Sequence, residues 1–307
     1  MKKPAIIITL VIVLLIATGF GLQWYADREA KRQVDAVIAE AGAMGGATYE
    51  DVHVDLFGPD LYVRGVEVYA AGSTQPIPVR EFVLHGYAPW KEPERTHFEV
   101  RGMRLAPEEN IGPRTSDPLT IMGYDELLVN LEVDYDYDRE ARRIDAREIT
   151  LDVEDMGRAT LSFVLDGYAP LSGRAASNPM ALAGLLMQVR FVRGRLVYED
   201  QSLFERLKRA DAALSGPAEK PPVELIMEEL DRRAEAARDE RIAGTLEALR
   251  DFIGDPGALV VSAEPEQPVS YLNLRGVTTL EEYLRVFRVR VESTSAPASP
   301  PGRPLKS

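Results

Sequence analysis

The sequence predicts an α+β fold: an N-terminal transmembrane helix, then a curled antiparallel β-sheet domain in two repeat-like halves, with two or three helices packed on it toward the C-terminus. Three observations predict it. Residues Ala5–Leu22 (AIIITLVIVLLIATGFGL) run for 18 positions without a charge, close to the roughly 20 that cross a hydrocarbon core. From Thr48 onward, short stretches of alternating apolar and polar residues are punctuated by Gly and Pro, the texture of an antiparallel meander. After residue 200 the apolar spacing changes from two to three and four, as amphipathic helices require.

The apolar run is preceded by Lys2 and Lys3 and followed by Trp24 and Tyr25, whose rings favour the headgroup layer. A cleaved leader with Ala17-Thr18-Gly19 as its cleavage site is the alternative. The length of the run favours a retained anchor, with the N-terminus inside and the bulk of the chain on the periplasmic side of the inner membrane. Residues 26–42 form a stalk helix with Val34, Val37, Ile38 and Ala41 on one face, stopped by Gly42, Gly45 and Gly46.

Strands follow over 53–57, 61–69, 77–87 and 96–105. Beyond the Pro-rich connection 106–120, Val129, Leu131, Val133, Tyr135 and Tyr137 take one face of a strand. Asn130, Glu132, Asp134, Asp136 and Asp138 take the other, wet face. Strands over 144–153 and 158–168, a short apolar helix over 178–188 and a strand over 189–198 come next. Helices occupy 201–214 and one or two stretches between 223 and 253. A strand over 258–263, a helical patch within 268–285 and a strand over 286–291 complete the fold. The tail STSAPASPPGRPLKS is too polar and Pro-rich to pack.

Residues 82–89 read FVLHGYAP and residues 163–170 read FVLDGYAP, and each precedes a strand carrying Val-Arg-Gly. An internal duplication and shared local turn chemistry both account for this. Arg-Gly pairs recur at Arg64-Gly65, Arg101-Gly102, Arg193-Gly194 and Arg275-Gly276. Glycine inside a strand marks a bulge or a bend, and several at similar positions curl a sheet. The expected organisation is an anchor (1–25), a stalk (26–47), a β-rich domain (48–200, halves 48–110 and 125–200), a helical segment (201–256), a C-terminal strand–helix–strand (257–293) and a tail (294–307).

The chain of 307 residues has a net charge of -13 and no cysteine. The charge argues against nucleic acid as a partner. The missing cysteines exclude disulfides, thiolate metal sites and a thiol nucleophile. Asp134, Asp136, Asp138 and Asp145 imitate the carboxylate spacing of a calcium loop, but Arg139 stands where that loop needs glycine. They read as a solvated strand edge. His53, His85 and His97 have no HExxH or His-x-His spacing and read as surface or turn histidines. No GxSxG elbow, P-loop or dinucleotide fingerprint is present. The expectation is a protein that is not an enzyme, with no cofactor, no metal and no catalytic residue.

The anchor followed by VDLFGPDLYVRGVEV resembles the start of AsmA-like envelope proteins. The stretch 135–168 is similar to strand pairs in related single-anchor periplasmic proteins. Tyr198-Glu199-Asp200-Gln201-Ser202-Leu203 looks like their step from strand into helices. The resemblance covers the order of elements over about residues 1–290. It implies an inner-membrane location, a curved sheet, and a link to envelope lipid handling or outer-membrane assembly. This chain is far shorter than the members that bridge the periplasm.

The expected function is therefore a membrane-anchored envelope protein that binds or shields lipid or assists envelope assembly. Its partners would be the membrane, lipid and envelope proteins. The residues expected to line a lipid groove are Leu131, Val133, Phe163, Leu165, Leu207, Leu246 and Phe252. An interaction module with a filled core is the first alternative, and a hydrolase with an unrecognised cleft the second.

Overall fold

The computed structural model describes residues 23, 25–39, 45–55, 58, 60–70, 75–88, 95–106, 118–169, 179–214 and 222–294. The expected anchor, the Gly42 turn, most of the 106–120 connection and the tail lie outside the described residues. The chain divides into two compact units, Met1–Leu105 and Ala106–Ser307. The break falls after Leu105, inside the 48–110 span expected for the first repeat-like half.

In the first unit a helix, α1 (25–39), precedes five strands: β1 (Gly45–Thr48), β2 (Asp51–Asp55), β3 (Asp60–Ala70), β4 (Pro76–His85) and β5 (Arg95–Leu105). All pairings are antiparallel. The order is β1-β3-β4-β5, and β2 pairs with β3 alongside β1. Ala26 and Ala30 are buried against β2 and β3, in a cluster with Val52, Val54, Leu61 and Val63. Two alanines let the helix axis approach the sheet closely. Asp27 of the helix and Gln23 just before it also close the edge of β2. The Val54 N–H donates to Asp27 Oδ1 at 2.7 Å, and Gln23 Nε2 donates to the Val54 carbonyl at 2.5 Å. An edge strand otherwise presents such groups to any pairing partner.

The second unit contains α2 (Pro118–Ile121), β6 (Leu127–Asp138), β7 (Arg143–Val153), β8 (Gly157–Asp166), α3 (Pro179–Gln188) and β9 (Arg190–Asp200). Three helices follow, α4 (Leu203–Leu214), α5 (Pro222–Ala236) and α6 (Glu240–Gly254). The chain then returns through β10 (Ala258–Ala263), β11 (Val269–Ser270), a 3-10 turn (Tyr271–Leu274), α7 (Leu280–Val286) and β12 (Val289–Thr294). The strand order is β6-β7-β8-β9-β10-β12, with β11 on β9, and these neighbours all pair antiparallel.

Two start signals are explicit in this unit. Asp239 caps α6 by accepting from the Arg241 N–H, and Thr279 with Glu282 forms a capping box on α7. Helix α6 packs its apolar stripe on the β10–β12 side. Ile242 and Leu246 cluster with Ala234 and Leu284, and Val289 of β12 packs against them. Phe252 meets Phe204 edge-on at 4.8 Å and Tyr198 at 5.9 Å.

The fold differs from the expected α+β class with its transmembrane helix and two or three packing helices. Twelve antiparallel strands dominate the described residues, and the helices are short pieces laid on them. No helix among the described residues is long and apolar enough to cross a membrane. The physical reason is length and polarity. Helices α5 and α6, among the longest in the described residues, have 15 residues each and carry a charged outer face. A second correction concerns Asp134. It is only 7% exposed rather than on a wet face, at a register shift between Asp134 and Tyr135.

Candidate apolar binding site

The sheet of the first unit keeps one apolar face across an irregularity. Leu61, Leu84 and Phe98 lie opposite one another on β3, β4 and β5, as do Val63, Phe82 and Val100. One row further, Val66, Val79 and Met103 are aligned. Strict alternation would send Val63 and Val66 to opposite faces. Between them sits Gly65, at φ +59°, and on β5 Gly102, at φ +65°, does the same between Val100 and Met103. A left-handed residue resets the phase of a strand, so both rows return to the same face. Both positions require glycine. A Cβ on Gly65 would lie 2.4 Å from the Glu50 side chain, and one on Gly102 would lie 3.0 Å from Arg80 Cβ.

Helix α1 covers this face only in part. Where Ala26 and Ala30 meet the sheet the contact is close. Further along, Val34 still packs against this cluster, and together with Val37 and Ile38 it lines an unfilled space. The result is a cavity of about 430 Å³ walled by α1 on one side and by β3 and β4 on the other. That size falls within the roughly 300–1,000 Å³ of small-molecule sites. Among the 15 described lining residues, Gln33 is the only one that is neither aliphatic nor aromatic. Val37 stands at the opening, 66% exposed.

The polar atoms at the wall are already used. The Tyr87 hydroxyl donates to Gln33 Oε1 at 3.0 Å, and the Tyr49 hydroxyl donates to Asp35 Oδ1. Burial, followed by that hydrogen bond and the nearby Asp35 charge, pushes the Tyr49 hydroxyl up to about 12. Burial also pushes Tyr87 up, with the Glu29 carboxylate adding to it. Both phenols, already neutral near pH 7, thereby stay neutral to higher pH. Among the described lining residues none is charged, and the wall they form offers dispersion contacts along its length.

The second unit shows the same construction. Leu131, Val133, Phe163 and Leu165 share one apolar face. Leu131 is paired with Leu151 and Val133 with Ile149, while Phe163 is paired with Ala146 and Leu165 with Ile144. The helices cover this face over β10 and β12, but Leu151 of β7 remains 41% exposed. The three helical candidates divide differently. Leu246 is 0% exposed and Phe252 3%, so both are filled core, whereas Leu207 is 40% exposed on α4. None of the seven lines the cavity of the first unit. The cavity residues were hidden because the Arg64-Gly65 and Arg101-Gly102 pairs interrupt the alternation that marks an apolar face. Treating each glycine as a phase reset restores that signal.

The acidic residues of β6 and β7 meet cations of the protein itself. Asp136 pairs with Arg147, and Asp145 lies 3.9 Å from Arg193. Asp138 accepts from the Ala141 N–H at 2.8 Å and holds the β6–β7 turn. In the repeated octapeptide, Gly86 (φ +68°) and Gly167 (φ +76°) both turn the chain left-handed after the strand. Shared turn chemistry thus accounts for part of the match.

A family model described as "Uncharacterized protein" matches residues 150–294, all within the second unit. No curated protein matches the chain.

Proposed function

We propose that this is a non-enzymatic envelope protein that shields apolar lipid chains on incompletely covered sheet faces, the cavity under α1 being the principal site. The observation that supports it is the cavity lining: an opening of small-molecule size whose described lining residues are almost wholly aliphatic and aromatic. Burial of a methylene contributes about 0.8 kcal/mol. A chain inserting about eight methylenes would gain roughly 6 kcal/mol before the cost of ordering it. Such a site selects an apolar chain and leaves a headgroup outside, past Val37. Membrane association and an envelope location belong to the same proposal, in keeping with the AsmA-like resemblance, and are checked by fractionating cells that express the full chain.

A second reading, a protein-interaction module, draws on Leu225 and Ile226, adjacent on α5 and each about half exposed. The two readings part on one experiment. The full chain and its Val37→Asp variant are purified in parallel, and bound lipids are extracted and quantified by mass spectrometry. The expected result is a several-fold lower lipid-to-protein ratio in the variant, because a carboxylate at the opening opposes entry of an alkyl chain. Equal ratios would remove the cavity from the account.

A further inference from the structure

On the face of β4 and β5 opposite the cavity, the hairpin register brings two of the three histidines together. His85 pairs with His97, and Glu99 pairs with Val83 one step away. The imidazole rings lie 4.3 Å apart, tilted by 31°. His85 Nε2 is 2.8 Å from Glu99 Oε1. One ligand atom from each of His85, His97 and Glu99 falls within 4.8 Å of the others, and all three side chains are partly buried. Leu84 and Val100 point into the cavity wall, so strand alternation places their neighbours His85 and Glu99 on the other side.

We infer that His85, His97 and Glu99 form a binding site for a divalent cation of the zinc type. Two imidazole nitrogens and a carboxylate oxygen match the ligand preference of such ions. The surroundings are also those of a metal site. His85 Nδ1 lies 3.1 Å from Asp60 Oδ2, the carboxylate–imidazole contact that fixes a ligating histidine with its other nitrogen turned toward the metal. Arg101 Nε donates to Glu99 Oε2 at 2.6 Å and Arg101 NH1 donates to Glu81 at 3.1 Å. Glu99 is thereby oriented through one oxygen, and Oε1 is left facing the histidines. Closing on an ion at about 2.0–2.1 Å replaces the His85–Glu99 hydrogen bond with two coordinate bonds and needs only side-chain rotation. Three protein ligands leave a fourth position for water. The site rests on β3, β4 and β5 and is independent of what occupies the cavity.

The test is a titration of the full chain, stripped with chelator and carrying no polyhistidine tag, with Co2+ followed by visible absorption, then displacement by Zn2+. One ion per chain is expected, with the d–d bands of a low-coordinate site. His97→Gln and Glu99→Gln should each weaken binding at least tenfold, and Asp60→Asn by about 10- to 100-fold. His53→Ala, outside the cluster, should bind as the parent does. Circular dichroism confirms that each variant is folded. His85→Ala should abolish saturable binding; should it fail to fold, His97→Gln and Glu99→Gln decide the matter. Absence of saturable binding to the parent chain, or binding unchanged in folded His97→Gln, would overturn the assignment.

Discussion

Gly65 and Gly102 set the phase of two strands and thereby decide which valines meet the cavity. Each stands at positive φ with little room for a Cβ. Gly65→Ala is expected to destabilise the first unit by about 1–2 kcal/mol, the cost of a left-handed alanine, with a further penalty from Glu50. Glycine positions away from such features tolerate alanine, so the exposed Gly244 on α6, which has open space around it, is the control. Chemical denaturation of both variants measures the difference. Tyr49 offers a second residue-scale check. Its hydroxyl is held protonated, raised from 10.0 to about 12, so the folded state binds this proton more tightly than the unfolded chain does. The stabilisation is fully present below about pH 10 and is lost as pH rises through about 12. In a tyrosinate absorbance titration, subtracting a Tyr49→Phe trace should reveal this late step. Asp35→Asn should move it partway back, since burial remains the larger cause.

Helices α1 and α6 do different work with the same amphipathic pattern. Helix α6 seats Leu246 and Phe252 fully in the core. Leu246→Ala is expected to cost about 2–5 kcal/mol, as filled-core truncations do. Leu207→Ala on α4, at 40% exposure, should cost well under half of that. Thermal melts of the two variants distinguish them. Helix α1 instead begins with alanines that seat it closely, keeps Val34 against the same cluster, and continues with Val37 and Ile38, which line the open space. Periodicity alone made Val34, Val37 and Ile38 legible as one face of a helix, and left open whether that face is filled. Spacing reports which side of a helix is apolar, and the distance to the facing sheet is set by side chains far away in sequence. The histidine cluster was hidden for a related reason. His85 and His97 are 12 residues apart in sequence, and only the β4–β5 register makes them neighbours.

At the scale of the whole molecule, the β-rich texture, the strand at Ala258–Ala263 and the helical stretch between β9 and β10 were all readable from punctuation and period. The dominance of sheet over helix was not, because helices of 12 to 15 residues leave the same local signal whether they form a layer or a partial cover. Asp134 misled for a local reason. Alternation assigned it to water, and the register shift beside it lies in the pairing with β7, which a single strand does not reveal. The strand candidates Leu131, Val133, Phe163 and Leu165 do share an apolar face, as alternation said, but the cavity lies in the other unit, where glycines obscure the same pattern.

The central claim is that a lipid chain occupies the space under α1. The most direct measurement places a photo-crosslinking amino acid at Val37, at the opening, and separately at Arg32, an exposed position on the same helix that does not line the cavity. Cells expressing each full-length variant are irradiated and the adducts are identified by mass spectrometry. The account predicts lipid adducts at position 37 in clear excess over position 32. Peptide adducts at position 37, or lipid adducts equal at both positions, would contradict it.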